Sequence, residues 1–157
     1  MPDRTNIRGL YFEEFAIGDT AVTSGRTITE ADIVNFAGLS GDFSQIHTNE
    51  EYAHQTPFGH RIAHGLLVLS ITNGLLVQLG IIEGTMMAFR DLTWKFSLPV
   101  FIHDTITVRT TVSKLRAVLP MGGGAVTFDL EVINQDGKVV QSGQWMVLVA
   151  SRPGVMQ

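Results

Sequence analysis

Residues 65–82 carry no charged side chain, and their apolar positions are spread around a helical projection instead of lying along one stripe. Such a run belongs inside a folded domain or across a membrane, and this one sits at the lower length limit for a span. Ser70, Thr72, Asn73, Gly74 and Gln78 interrupt it, with no aromatic belt or basic flank. The pattern therefore predicts a buried helix that starts at His64-Gly65 and ends near Gly84.

Beyond that helix the period changes. Residues 86–98 alternate loosely, with Phe89, Leu92, Trp94 and Phe96 as inward positions and Pro99 as the stop. Residues 104–119 are rich in Thr, Val and Ile, and Gly122-Gly123-Gly124 divides them from a strand over 125–134. Asp136-Gly137 is the strongest hairpin signal in the chain and leads into 139–150.

Upstream, residues 1–10 read as a loose lead-in, Gly18-Asp19 as a turn, and 20–28 as a strand. Thr29-x-x-Asp32 resembles a capping box and opens a short helix that Gly38 stops. Residues 48–53 read as a helical turn capped by Asn49, and Pro57 and Gly59 punctuate a loop over 55–61. The sum is an α+β fold: one long central helix wrapped by a curved four-strand antiparallel meander. A sheet of this kind leaves an edge, which pairing with a second copy would cover.

Composition narrows the function classes. The 157 residues suit one domain over 1–157, 45% apolar and 17% charged, which reads as globular. A net charge of −4 and the absence of a basic run argue against nucleic-acid binding. No cysteine is present, so disulfides, thiolate catalysis and cysteine zinc sites are excluded. The first residues lack a charged segment followed by an apolar one, which predicts a cytoplasmic protein with no membrane association.

Candidate chemistry falls in two places. Residues 38–47 hold Asp42 and His47 in a glycine-punctuated stretch with Ser44 between them. A carboxylate beside an imidazole that titrates near neutrality can share or move a proton; a solvated surface turn explains the same residues. His64-Gly65 heads the apolar helix, where unpaired N–H groups and a close backbone approach could receive a carbonyl that gains negative charge. An ordinary helix start with a capping histidine is the plainer account. His60 and His64 have i,i+4 spacing, but Pro57 and Gly59 put His60 in a loop and no Glu follows it, so no metal site is expected. Gly122–Gly124 lacks the Lys-Ser/Thr ending of a phosphate loop, and no Gly-x-Ser-x-Gly nucleophile motif occurs.

Taken together, Phe36, Ser40, Gly41, Asp42, Ile46, His47 and Ala53, followed by Ala63-His64-Gly65-Leu66, resemble the hydratase signature of the MaoC-like dehydratases, the (R)-specific enoyl-CoA hydratases of the hot-dog fold. The likeness covers residues 12–149, the core of a single hot-dog domain. It implies that Asp42 and His47 form a catalytic dyad acting on a trans-2-enoyl thioester, with the Gly65 N–H as oxyanion donor and Ser44, Ser70 and His64 in support. It also implies an acyl-CoA substrate, no cofactor beyond the coenzyme A that the substrate brings, and a homodimer or dimer of dimers. Arg61, Arg90, Lys95 and Arg116 are basic candidates for the coenzyme A phosphates. The family's Asn-Pro is Ser44-Gln45 here. Other hot-dog functions, an acyl-CoA thioesterase or a non-catalytic acyl-thioester-binding subunit, are the alternatives.

Overall fold

The computed structural model describes residues 8–155; most of the expected lead-in, residues 1–7, lies outside the described residues. A 3-10 turn over Phe12–Glu14 precedes two short strands, β1 (Thr20–Val22) and β2 (Arg26–Thr27). Three helices follow, α1 (Glu30–Ser40), α2 (Gln45–Thr48) and α3 (Glu50–His54), and then the long α4 (Gly65–Gln78). The chain ends in four strands, β3 (Met86–Phe96), β4 (Thr105–Val118), β5 (Gly123–Ile133) and β6 (Val139–Ala150).

The capping signals at Thr29 and Asn49 are formed. Asp32 N–H donates to Thr29 Oγ1 at 3.2 Å, while Thr29 N–H donates to the Asp32 carboxylate at 2.8 Å. Asn49 Oδ1 accepts from Tyr52 N–H at 3.1 Å and caps α3. The end of α1 differs from the expectation. Gly38 lies inside the helix, and Gly41, at φ 78°, ends it with its N–H on the Ala37 carbonyl. The left-handed residue sets the stop, because only there does a side chain cost energy.

Likewise α4 stops at Gln78 and not near Gly84. Gly80 takes φ 71°, and its carbonyl and that of Ile81 accept from Gly9 and Leu10 N–H at 2.9 and 2.7 Å. The expected strand over 20–28 is broken at Ser24-Gly25, and both of its halves pair with β4.

All strand pairs are antiparallel, but the sheet is not the simple meander read from sequence. Its order is β1-β4-β5-β6-β3, so the β4–β6 meander is flanked on one edge by β1 and on the other by β3. Register shifts in the β3–β6, β4–β5 and β5–β6 pairs bend and twist the sheet around α4. On one side of the helix, Leu67, Val68, Ile71 and Leu75 pack with Ile106, Val108, Val132 and Val140. A second apolar cluster brings Leu10 and Phe15 against Val126, Phe128, Trp145 and Val147.

The glycine row also does more than turn. Gly122 alone turns, at φ 63°; Gly123 and Gly124 belong to β5, where a Cβ would collide with the Val149 carbonyl and the Phe12 ring.

Two expectations about burial fail for one reason. Helix α4 is not covered on all sides, since Leu66 and Val77 are 59% and 61% exposed. Of the inward positions assigned to β3, only Trp94 packs into the core, whereas Phe89, Leu92 and Phe96 remain exposed. β3 is a sheet edge beside the open face of α4, and among the described residues no further strand pairs with it. No helix is long and apolar enough to cross a membrane among the described residues.

Candidate active site

The end of α1 delivers Asp42, and the turn that follows fixes it. Ser40 Oγ accepts from Asp42 N–H at 3.1 Å, and Asp42 Oδ1 accepts from both the hydroxyl and the N–H of Ser44. Those two bonds hold the carboxyl below its ordinary range, because they favour the ionised form. Asp42 is exposed.

His47, one residue before the end of α2, is buried at 9% exposure. Its Nδ1 lies 2.7 Å from the Ile62 carbonyl. A carbonyl only accepts, so Nδ1 carries the proton and Nε2 keeps a free lone pair. Burial pushes the imidazole pKa down; the Ile62 bond and Asp42 pull the other way.

His64, the residue capping α4, is 2% exposed. Its Nε2 donates to the backbone carbonyl of Asp42 at 2.9 Å, and its ring stacks on His47 with centroids 3.8 Å apart. Phe36 packs against the same ring at 5.0 Å. The donor atoms of Asp42, His47 and His64 lie within 4.8 Å of one another, close enough to share a water or a cation. One nitrogen of each ring is already committed to a carbonyl.

Gly65 is the first residue of α4, where N–H groups have no partner within the helix and the dipole favours negative charge. A Cβ on Gly65 would lie 2.8 Å from the Phe96 ring, so the position takes glycine without displacing that ring. His47 and Gly65 share the lining of a cavity of about 380 Å³ with Ile62, Val68, Phe96 and Gln141. A hollow of about 550 Å³, lined in part by Asp91, Thr93, Lys114, Arg116 and Gln144, shares no lining residue with it. Of the two, the smaller cavity is the one lined by His47 of the acid–imidazole pair.

The structure thus brings Asp42, Ser44, His47, His64 and Gly65 together. Ser70 is not in this group: it is exposed on α4, and its hydroxyl donates to the Leu66 carbonyl at 2.8 Å. His60 and His64 do not share a helical face, because residues 60–64 are not helical and α4 begins only at Gly65. Arg61 is engaged by Glu30 and Glu50 at 2.8 and 2.6 Å, and both carboxylates hold its pKa up. Of the basic candidates, Arg116 lines the other hollow.

Sequence reasoning missed Gln141. This residue is 2% exposed on β6; its Oε1 accepts from the Trp94 indole N–H at 2.9 Å and its Nε2 donates to the Gly65 carbonyl at 3.2 Å. It ties the first turn of α4 to the sheet. The sequence held no clear signal, because Gln141 is followed by Ser142, Gly143 and a second amide, Gln144, on the same strand.

A long helix seated in a curved antiparallel sheet defines a hot-dog protein, and here an acid–imidazole pair lies near the helix start. The family model described as "MaoC like domain" matches residues 13–132, and the chain belongs to that family. It is 37% identical to the (R)-specific enoyl-CoA hydratase of Rhodospirillum rubrum over 90% of this chain and 93% of that one. It is 40% identical to Protein MaoC of Klebsiella aerogenes over 71% of this chain, and the match spans only 33% of that longer relative. Among solved structures, one described as a monoamine oxidase regulatory protein from Archaeoglobus fulgius superposes with a TM-score of 0.87 at 37% identity, covering 93% of this chain and 97% of that one.

Proposed function

We propose that the chain is a hydro-lyase that adds water reversibly to a trans-2-enoyl-CoA, giving the (R)-3-hydroxyacyl-CoA. The observation that carries this reading is the free Nε2 of His47 beside the ionised Asp42, at a cavity that also reaches the start of α4. Asp42 and His47 hold one water between them. His47 Nε2 takes a proton from it as the oxygen bonds to the β-carbon. The electrons of the double bond move to the thioester carbonyl, whose negative charge the Gly65 N–H receives. The imidazolium then returns the proton to the α-carbon, so the atoms of one water are added and nothing else is consumed. His64 stays out of the proton transfer and holds the ring of His47 and the backbone of Asp42.

The relative from Rhodospirillum rubrum named as an (R)-specific enoyl-CoA hydratase supports this choice over thioester hydrolysis. The Ser44-Gln45 departure would favour a non-catalytic acyl-thioester binder if Asp42 were left unheld. Ser44, however, supplies two hydrogen bonds to the Asp42 carboxylate. The unit is a homodimer in which a second copy covers the exposed face of α4 and the β3 edge, where Leu66, Val77, Phe89 and Phe96 remain open.

A panel of trans-2-enoyl-CoA chain lengths tests the activity. The absorbance of the conjugated thioester should fall, and the product should be the (R)-3-hydroxyacyl-CoA alone. Release of free thiol, or tight binding with no turnover at any chain length, would replace this reading with one of its alternatives.

A further inference from the structure

A second cluster of ligating groups lies outside the candidate active site and does not depend on it. Glu50, His54 and His60 place one donor atom each within 4.8 Å of the others. His60 Nδ1 is 3.1 Å and His54 Nε2 is 3.7 Å from the same Glu50 oxygen, Oε1. A tetrahedral ion with bonds of about 2.0–2.2 Å sets its ligands roughly 3.3–3.6 Å apart. The two spacings to Glu50 bracket that range, and the third pair, His54 with His60, lies within 4.8 Å.

The groups around these donors hold them in place. His54 Nδ1 lies 2.6 Å from the Gly59 carbonyl, which fixes the proton there and leaves Nε2 as the lone-pair nitrogen facing Glu50. A histidine metal ligand characteristically donates its other N–H to a carbonyl or carboxylate, and His54 does so before any ion is bound. The other oxygen of Glu50 accepts from Arg61 Nε at 2.6 Å, so the ligating oxygen is oriented by its own neighbour. Arg61 is also paired with Glu30 at 2.8 Å. With both imidazoles neutral, Glu30, Glu50 and Arg61 leave one net negative charge, which an incoming divalent cation would meet. Gly59, at φ 74°, turns the loop so that His60 comes back over α3. The two rings meet edge-on at 5.1 Å. In the free chain His60 Nδ1 donates to Glu50 Oε1 at 3.1 Å, and an incoming ion would take that proton's place, the ring keeping its proton on the exposed Nε2.

We infer that Glu50, His54 and His60 form a surface site for a divalent transition-metal ion of the Zn²⁺ class, completed by water. Two imidazoles with one carboxylate suit zinc or cobalt better than calcium or magnesium, which take oxygen ligands. The ion would join α3 to the loop over residues 55–61. That loop carries Phe58, which lines the cavity beside His47, and leads to Ile62, whose carbonyl holds the His47 ring. Binding there would restrict the segment that orients His47 without entering the cavity.

The test uses the untagged full chain titrated with Co²⁺ and Zn²⁺. One Co²⁺ per chain should bind with the visible absorption of a nitrogen-ligated ion, Zn²⁺ should displace it, and Zn²⁺ should raise the melting temperature and slow amide exchange over 55–61. His54→Gln and His60→Gln should each weaken binding by more than about tenfold, since losing even an outer-shell partner of a ligand costs that much. Both side chains are exposed, so circular dichroism should match the parent. His47→Gln should bind the metal as the parent does. No saturable binding, or binding lost in His47→Gln and kept in His54→Gln and His60→Gln, would overturn the site and leave Glu50 as an ion-pair centre only.

Discussion

The rings of His47 and His64 stack at 3.8 Å between centroids with 27° between their planes, and each donates to a backbone carbonyl on a different segment. His47 donates to Ile62 at 2.7 Å and His64 to Asp42 at 2.9 Å. Because both bonds end on carbonyls, the tautomer of each neutral ring is set by the backbone. The nitrogen left free on His47 is Nε2, the one a water can meet. His64 thereby fixes both members of the pair, the ring by stacking and Asp42 by its carbonyl.

Removing either proton-handling group should stop turnover while sparing the fold. Asp42→Asn and His47→Gln are each expected to lower kcat/KM for enoyl-CoA hydration by about 10²–10⁴-fold, the usual worth of a general acid–base group. Asp42→Asn should leave the urea midpoint unchanged, since the side chain is exposed. Parental activity in both variants would remove the dyad from the mechanism.

Burial holds the His47 pKa below its ordinary value of 6.5, and two bonds from Ser44 hold Asp42 below 3.8. The acid limb of kcat/KM should therefore have its midpoint below 6.5, with Asp42 ionised across it. The stability effect has the same origin. Below pH 6.5 the unfolded chain takes up the His47 proton before the native one does, so stability falls as pH drops through that window and levels off above it. A pH–rate profile with NMR titration of the ring checks both; a midpoint above 6.5 would contradict them. Ser44→Ala should raise the Asp42 pKa.

Gln141→Leu should destabilise the chain by about 1–3 kcal/mol, because the Trp94 indole N–H is left without its acceptor. Trp94→Phe instead leaves the more deeply buried Gln141 Oε1 without its donor and should cost as much or more. Chemical denaturation orders the two. In Gln141→Leu the first turn of α4 also loses its anchor on the Gly65 carbonyl, so kcat should fall further than KM changes.

Gly65→Ala places a methyl 2.8 Å from the Phe96 ring. Phe96 is 53% exposed and can swing aside, so the stability loss should stay near the low end of the 1–3 kcal/mol typical of overpacking. The displaced ring lines the cavity, so activity should fall more than stability does. Combining Gly65→Ala with Phe96→Ala should restore the melting temperature; if it does not, the close contact is not what constrains residue 65.

Much of this chain was legible one segment at a time. Thr29-x-x-Asp32 and Asn49 announce their helix starts because capping involves residues three apart, and Asp136-Gly137 announces its turn. The spacing of Asp42 and His47, with His64-Gly65 downstream, marked the candidate site for the same reason: its parts sit in two short stretches. What the sequence could not determine depended on neighbours far along the chain. Trp94 and Phe96 are two residues apart on one strand, yet Trp94 is bonded to Gln141 while Phe96 stands open beside Gly65. Strand order put β3 at an edge next to β6, and that alone decided which apolar faces one chain buries. The tautomer of His47 was likewise fixed by the carbonyl of Ile62, fifteen residues on. Local backbone preferences act over three or four residues and can be read in order; pairing, burial and proton placement are set by groups that only the folded chain brings together.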